Sequence, residues 1–309
     1  MKAMKVSSAE LGQTLVAAEI PQPEPGAGEL LIRVHAAGVT PTELGWYPTS
    51  HTKTGEPRTG AVPGHEFSGV VTSLGKDVAG FEAGQAVYGM NDWFADGATA
   101  EFCVALPGSV AAKPATLTHQ AAATVPIGAL TAWQGLLERA KIQPGERVVV
   151  LGGAGAVGMF AVQLAHLHGA CVIATASPRD LDFAKQLGAD EAIDYRTNNL
   201  EREKNRADVV FDAVGGKTLD DAWSLLKPGG RMVTIASDSE ATTEQRVKAA
   251  FFIVEPNQTQ LAAIAELLDA GTLKTSINTV VPLEEASNAY SGSARNRNAH
   301  GKMVVAVSP

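Results

Sequence analysis

Apolar positions in the first part of the chain come in short runs. Residues 29–35, 67–72 and 100–105 carry β-like patterns, and turn-rich clusters at 21–28 and 80–84 interrupt them. Short strands with frequent Gly and Pro punctuation predict a small all-β barrel or sandwich. From about residue 146 the pattern changes. Residues 147–151, Arg-Val-Val-Val-Leu, form a continuous apolar run, the pattern of a strand buried on both faces. Val157, Phe160, Ala161, Leu164 and His168 follow at helical spacing. Residues 170–175, 192–195, 208–212 and 230–236 read as further strands. Between them, 180–188 reads as a helix ending at the cap Gly188, and 217–226 as another. Such alternation predicts a parallel sheet with helices on both faces.

Near the C-terminus Asn257 precedes Gln260 at capping-box spacing. Leu261, Ile264 and Leu268 then share one helical face, and Gly271 ends the helix. Residues 302–307 read as a last strand whose expected destination is the first domain. No repeat or low-complexity tract is visible.

Composition narrows the class. The chain has 309 residues, 45% hydrophobic and 19% charged, enough apolar material for two cores. A net charge of -8 with no basic run argues against nucleic-acid or anionic-membrane partners. The most apolar stretch, residues 121–133, contains Pro126 and falls short of the ~20 residues a membrane helix needs. With only two cysteines and no apolar leader, a cytoplasmic location is expected.

The residues that follow the first long strand carry the candidate chemistry. Gly153, Gly155 and Gly158 have the spacing of a dinucleotide fingerprint and sit between that strand and a helix. The first glycine allows a tight turn, the second lets backbone approach a pyrophosphate, and the third lets helix and strand pack closely. Gly153, Ala154, Gly155, Ala156 and Val157 are the candidate cofactor-binding residues, with free N–H groups at the helix start holding the phosphates. An NAD site places an acid on the ribose about 20 residues further on. Here residues 175–179 contain no carboxylate, whereas Ser177 and Arg179 offer a hydroxyl and a guanidinium. That combination favours NADPH through its 2′-phosphate. Ser177 before Pro178 also suits a helix cap, a role compatible with phosphate binding.

Several segments together make the chain resemble the medium-chain dehydrogenase/reductase superfamily, in its zinc-independent quinone oxidoreductase-like branch. They include 63–69, 130–133, 152–158 with 161–165, 187–190 with 193–195, 212–216, 227–231 and 251–256. The resemblance implies an α/β fold: an N-terminal GroES-like β-barrel at 1–125, a Rossmann doubly wound parallel sheet at 126–256, and a segment at 257–309 returning to the first domain. It implies an active site in the cleft between the domains and a homodimer through Rossmann edge strands. By the same resemblance Thr131 lies near the nicotinamide, Tyr195 near the adenine or its ribose, and Ala236, Ser237, Phe251, Phe252 and Ile253 line the cofactor groove.

Zinc-dependent members of that superfamily hold their metal with Cys, His or Glu, and Cys. Thr40 stands where the first cysteine is expected, and residues 126–128 carry none where the second is expected. His65 and Glu66 remain, which alone make a poor zinc site, and are expected to be structural hydrogen-bonding groups. No metal is therefore expected, and Cys103 and Cys171 read as packing residues. Without a Lewis acid the acceptor should be already activated: a quinone or an α,β-unsaturated carbonyl. Thr40 is a candidate donor to its oxygen or to the nicotinamide ribose, Tyr47 a candidate hydrogen-bond or proton donor, and Trp46 a candidate apolar wall. Alternatives are an enoyl-thioester reductase, or a catalytically weak NADPH-binding sensor or structural protein.

Overall fold

The computed structural model describes residues 1–9 and 12–308. The chain forms two compact units, Met1–Ile127 with Pro256–Pro309, and Gly128–Glu255.

The first unit opens with β1 (Lys2–Ala9) and β2 (Gly12–Glu19), an antiparallel hairpin. Next come β3 (Leu30–Gly38), β4 (Glu66–Leu74), β5 (Ala86–Met90), β6 (Phe102–Ala105) and β7 (Val110–Ala112). The chain then enters the second unit with β8 (Arg147–Leu151), β9 (Cys171–Ala176), β10 (Glu191–Asp194), β11 (Ala207–Asp212) and β12 (Leu226–Thr234). It returns to the first unit through the helix Gln258–Asp269, β13 (Ile277–Pro282) and β14 (Lys302–Ala306).

In the first unit the sheet order among the described residues is β13-β14-β3-β4-β5-β7, with β6 also pairing β3. The last strand thus lies beside a strand from the start of the chain: Val304 faces Gly38 and Val305 faces Ala37. Leu30, Ile32, Val34, Phe67, Val71, Val87, Met303 and Val305 belong to one buried cluster. Burying each such side chain contributes roughly 1.5–3 kcal/mol. The helix Gln258–Asp269 is docked by polar contacts at both ends. Tyr88 donates its hydroxyl to the Leu261 carbonyl at 2.6 Å, and Asp269 accepts from the Ala115 and Thr116 N–H groups. Asn257 caps the helix as its spacing predicts, accepting from the Gln260 N–H at 3.0 Å.

The second unit is a parallel sheet in the order β10-β9-β8-β11-β12. The order reverses at β8, so the chain ends of β8 and β11 flank a switch point. Val149, Leu151, Ile173, Val210, Leu219 and Met232 fill the core on one face. At the opposite ends of the strands Arg147 forks onto Glu203 and Arg231 onto Glu146. No described helix is long and apolar enough to cross a membrane.

His119 shows how burial couples the first unit to pH. Its ring stacks on His35 at 4.4 Å, and its Nδ1 lies 2.8 Å from the Ser68 hydroxyl. Burial first, then the charges of His35, Lys113 and Arg33, push the His119 imidazole down to about 4. The unfolded chain takes up this proton near its ordinary value of about 6.5, whereas the folded chain resists until about 4. Stability is therefore full above that window and falls as pH drops through it. His119→Gln should flatten the acid limb of a urea-midpoint-against-pH curve; an unchanged slope would assign that limb to other groups. Asn257→Ala should lower stability by about 1 kcal/mol in urea unfolding, and no change would mean that the cap is redundant.

Candidate active site

In the second unit the turn from Gly152 to Val157 joins β8 to the helix Gly158–Leu167. Its shape follows from close backbone approach. The Gly153 N–H donates to the Thr175 carbonyl at 2.9 Å, and the Gly155 N–H to the Gly152 carbonyl at 2.9 Å. A side chain at Gly158 would collide with the Gly152 carbonyl oxygen and lie 2.8 Å from the Gly153 Cα, so only glycine lets the helix start this near the strand. Ala154, Gly155, Ala156 and Val157 are all at least partly open to solvent. A helix start beside a glycine-lined, accessible turn fits the pyrophosphate of a dinucleotide.

The other cofactor candidates gather at the C-terminal ends of the same parallel strands. Ser177 follows β9, and Tyr195 follows β10 with its N–H on the Ala176 carbonyl at 3.3 Å. The Tyr195 ring is 61% exposed with the Arg196 guanidinium over it. Ala236 and Ser237 follow β12, where Ala236 leaves no room for a side chain on Gly215. Thr131 is buried in the helix Pro126–Trp133. That helix touches the glycine-rich turn, since a Cβ on Gly128 would lie 2.6 Å from the Ala156 carbonyl oxygen. Phe251 pairs with Thr234 at the end of β12 and Ile253 is exposed. Phe252 differs from both: its ring is buried beneath the Arg139 guanidinium and above Gly135.

Ser177 and Arg179 stand next to a carboxylate that lies one residue beyond the stretch read for cofactor choice. Asp180 accepts the Ser177 hydroxyl and lies 3.5 Å from the Arg179 Nε. Ser177 occupies the cap position before Pro178, but its side chain serves Asp180 rather than a helix N–H. A second carboxylate, Asp212, is fully buried at the end of β11. It accepts from the Val214 and Gly215 N–H groups and from the Thr234 hydroxyl, fixing the loop that faces the turn.

The first unit holds a buried polar cluster of its own. Glu43, in the short 3-10 helix Pro41–Gly45, accepts the Gly64 N–H at 2.6 Å and lies 2.5 Å from His65 Nδ1. Trp93 is tilted against His65 at 5.4 Å, and Trp46 meets Trp93 edge-on at 5.3 Å. Tyr47 points elsewhere: its ring lies flat on His51 and is half exposed. Glu66 starts β4 and has no solvent exposure. One of its oxygens accepts the Ile127 N–H at 3.0 Å and the other pairs with the Lys302 ammonium. Lys302 Nζ also lies 3.4 Å from the Thr40 hydroxyl oxygen. Burial pushes the Glu66 carboxyl up, against the pull of Lys302 and the Ile127 N–H. Room for it exists because position 38 is glycine; a Cβ there would lie 2.7 Å from the Glu66 Cγ.

These residues do not fit a catalytic zinc. Such a site needs about three ligands with free lone pairs. The Glu66 carboxylate is matched by an ammonium, Thr40 and Ile127 supply no thiolate, and the His65 Nε2, unpartnered among the described residues, is left as a single imidazole donor. Cys103 is buried in β6 with its thiol pushed up to about 12 by burial. Among the described residues no group of three or more His, Cys, Asp or Glu is arranged to hold a metal ion.

Lys302, Trp93, Asp180 and Asp212 were not legible as site residues. Lys302 begins an apolar run that marks a strand, and nothing local says that its ammonium is buried. Asp180 had a local signal, as the first acid after the second Rossmann strand.

A glycine-rich strand–helix turn on a doubly wound sheet, with a last strand that joins the sheet of the first unit, is the architecture of nicotinamide-dependent oxidoreductases. Residues 26–127 match the alcohol dehydrogenase GroES-like domain model and 187–305 match the zinc-binding dehydrogenase model. A probable zinc-binding mitochondrial oxidoreductase from Arthroderma benhamiae is 36% identical over 95% of this chain and 93% of its own length. The 2-methylene-furan-3-one reductase of Solanum lycopersicum is 34% identical over 90% of this chain and 71% of its own. The structure of a quinone oxidoreductase from Coxiella burnetii superposes with a TM-score of 0.86 at 30% identity, covering 100% of this chain and 99% of that one. The chain belongs to the medium-chain dehydrogenase/reductase superfamily, in its quinone oxidoreductase-like branch.

Gly158→Ala should force the helix off the turn, lowering stability by roughly 1–3 kcal/mol and weakening dinucleotide binding in calorimetric titration. Wild-type affinity in the variant would detach the turn from cofactor binding.

Proposed function

We propose that this protein is an NADPH-dependent reductase of quinones or α,β-unsaturated carbonyls that works without zinc. The observation that carries the reading is the state of the buried carboxyl cluster. Where a metal would need about three open ligands, Glu66 is paired with Lys302, no cysteine is present, and His65, held by Glu43 at Nδ1, offers only Nε2. Positive charge next to Thr40 is thus supplied by an ammonium, which polarises far less than a divalent cation. An acceptor whose conjugation already spreads developing charge suits such a site.

Bound at the glycine-rich turn with Ser177 and Arg179 at its 2′-phosphate, NADPH would supply the hydride that reduces the acceptor and would itself be oxidised. The electron pair displaced from the conjugated system settles on the acceptor's oxygen. Thr40 donates a hydrogen bond there, and the resulting enolate or hydroquinone anion takes its proton from solvent. Trp46 and Trp93 offer flat apolar surface to a planar substrate. On the cofactor side, Arg179 and Ser177 are the partners for a 2′-phosphate. Arg179 is exposed with its Nε 3.5 Å from Asp180, and its guanidinium fork suits a doubly charged phosphate. Names of relatives support the substrate class, since one is a furanone reductase and one a quinone oxidoreductase.

NADPH oxidation by chelator-treated protein, screened against quinones, enones, aldehydes and enoyl thioesters, tests the reading. Turnover is expected on quinones or enones and should be insensitive to EDTA. Activity lost to EDTA and restored by zinc would refute the metal-free mechanism, and preference for enoyl thioesters would move the substrate class. Arg179→Ala should raise the KM for NADPH about tenfold with little change for NADH. Equal effects on both would remove Arg179 from the phosphate site.

A further inference from the structure

Lys302 and Glu66 form an ion pair almost without solvent exposure, at 6% and 0%. Such pairs contribute little net stability, because desolvation of both charges offsets their attraction, and apolar replacements of similar volume are often no worse. The surroundings are nonetheless arranged to keep this one. Gly38 leaves space for the Glu66 stem, and the Ile127 N–H satisfies the carboxyl oxygen that Lys302 does not reach. An ammonium has three N–H donors. One serves Glu66, and another is directed at the Thr40 hydroxyl oxygen at 3.4 Å.

That second contact has a chemical consequence. A hydroxyl carries one proton and can point it at any acceptor in reach. Without the ammonium, no neighbour donating into the Thr40 oxygen sets the direction of that proton. With Lys302 donating into its oxygen, the Thr40 proton turns away from the ion pair, and the hydroxyl becomes a stronger donor through cooperative polarisation.

We propose that Lys302 is a positioning residue that aims and strengthens the Thr40 hydroxyl as the donor to the acceptor's carbonyl oxygen. The inference rests on the reductase reading for the identity of that oxygen. It adds that the donor's direction is set from the far end of the chain, by the first residue of β14.

The test is a mutant cycle in the full-length protein. Thr40→Val removes the hydroxyl. Glu66→Met with Lys302→Met removes the ion pair without leaving a lone buried charge, and thermal unfolding checks that it folds. Lys302→Gln repeats the cycle should the apolar pair not fold. Each change is expected to lower kcat about tenfold or more, with the KM for NADPH within about twofold of wild type. Combined with Thr40→Val, removal of the pair should cost no more than about threefold further, since its effect runs through the missing hydroxyl. Multiplicative losses, an unchanged kcat, or a loss carried by the NADPH KM alone would overturn the inference while leaving the reductase reading intact.

A second readout does not need turnover. Substituted phenols, titrated in the presence of the oxidised cofactor, mimic the developing oxyanion. Wild type should favour the phenolate over the phenol by about tenfold relative to solution, and both Thr40→Val and loss of the ion pair should abolish the preference. No preference in wild type, or one that survives loss of Lys302, overturns the inference whatever the acceptor screen returns. Absence of turnover with the phenolate preference intact would instead count against the reductase reading alone.

Discussion

A carboxyl group shut away from water has to be answered by protein, and Glu66 imposes that demand on the first unit. Segments far apart in sequence meet it: Gly38 by having no side chain, Ile127 with a backbone N–H, and Lys302 with an ammonium. Each of these lies at a decisive place. Gly38 ends β3, Ile127 precedes the second unit, and Lys302 opens the last strand. The neighbouring pair of Glu43 and His65 sits in the same polar interior, and the charge of Glu43 bears on Glu66. Thr40 and the two tryptophans border this interior, so what the unit presents to a substrate follows from how its buried charges are balanced.

The second unit was the more legible of the two. Its central strands are apolar on both faces, so β8 occupies the expected residues, β11 starts one residue early and β9 is displaced by one residue, whereas β12, polar and exposed at its start, begins four residues before the expected strand. Glycine and asparagine caps act over a few residues and were equally readable at Gly188 and Asn257. The first unit was harder. The β1–β2 hairpin mixes polar and apolar residues because β2 is largely solvent-facing, with Val16 exposed. β5, β7 and β13 are short or interrupted by polar positions and carry weak local patterns. The candidate site divides in the same way. The glycine-rich turn is a local motif, whereas the partner of Glu66 lies 236 residues along the chain, beyond anything spacing can reveal.

His65 and Glu66 are both deeply buried; Glu66 has a partner at each oxygen, whereas His65 is held at Nδ1 and has no hydrogen-bond partner at Nε2 among the described residues. Residues 175–179 carry no acid, yet the next residue, Asp180, already contacts both Ser177 and Arg179.

The return of β14 to β3 also fixes an order of events as the chain is made. All residues of the second unit precede the last strand, so its sheet has every part it needs while the first unit still lacks β14. Until that strand pairs with β3, Glu66 has neither its cation nor a closed interior. Contacts spanning most of the chain form slowly because loop closure precedes any gain. The second unit can therefore be native while the first is still open, and a ribosome-bound intermediate of this protein would hold a finished dinucleotide fold beside an unfinished β domain.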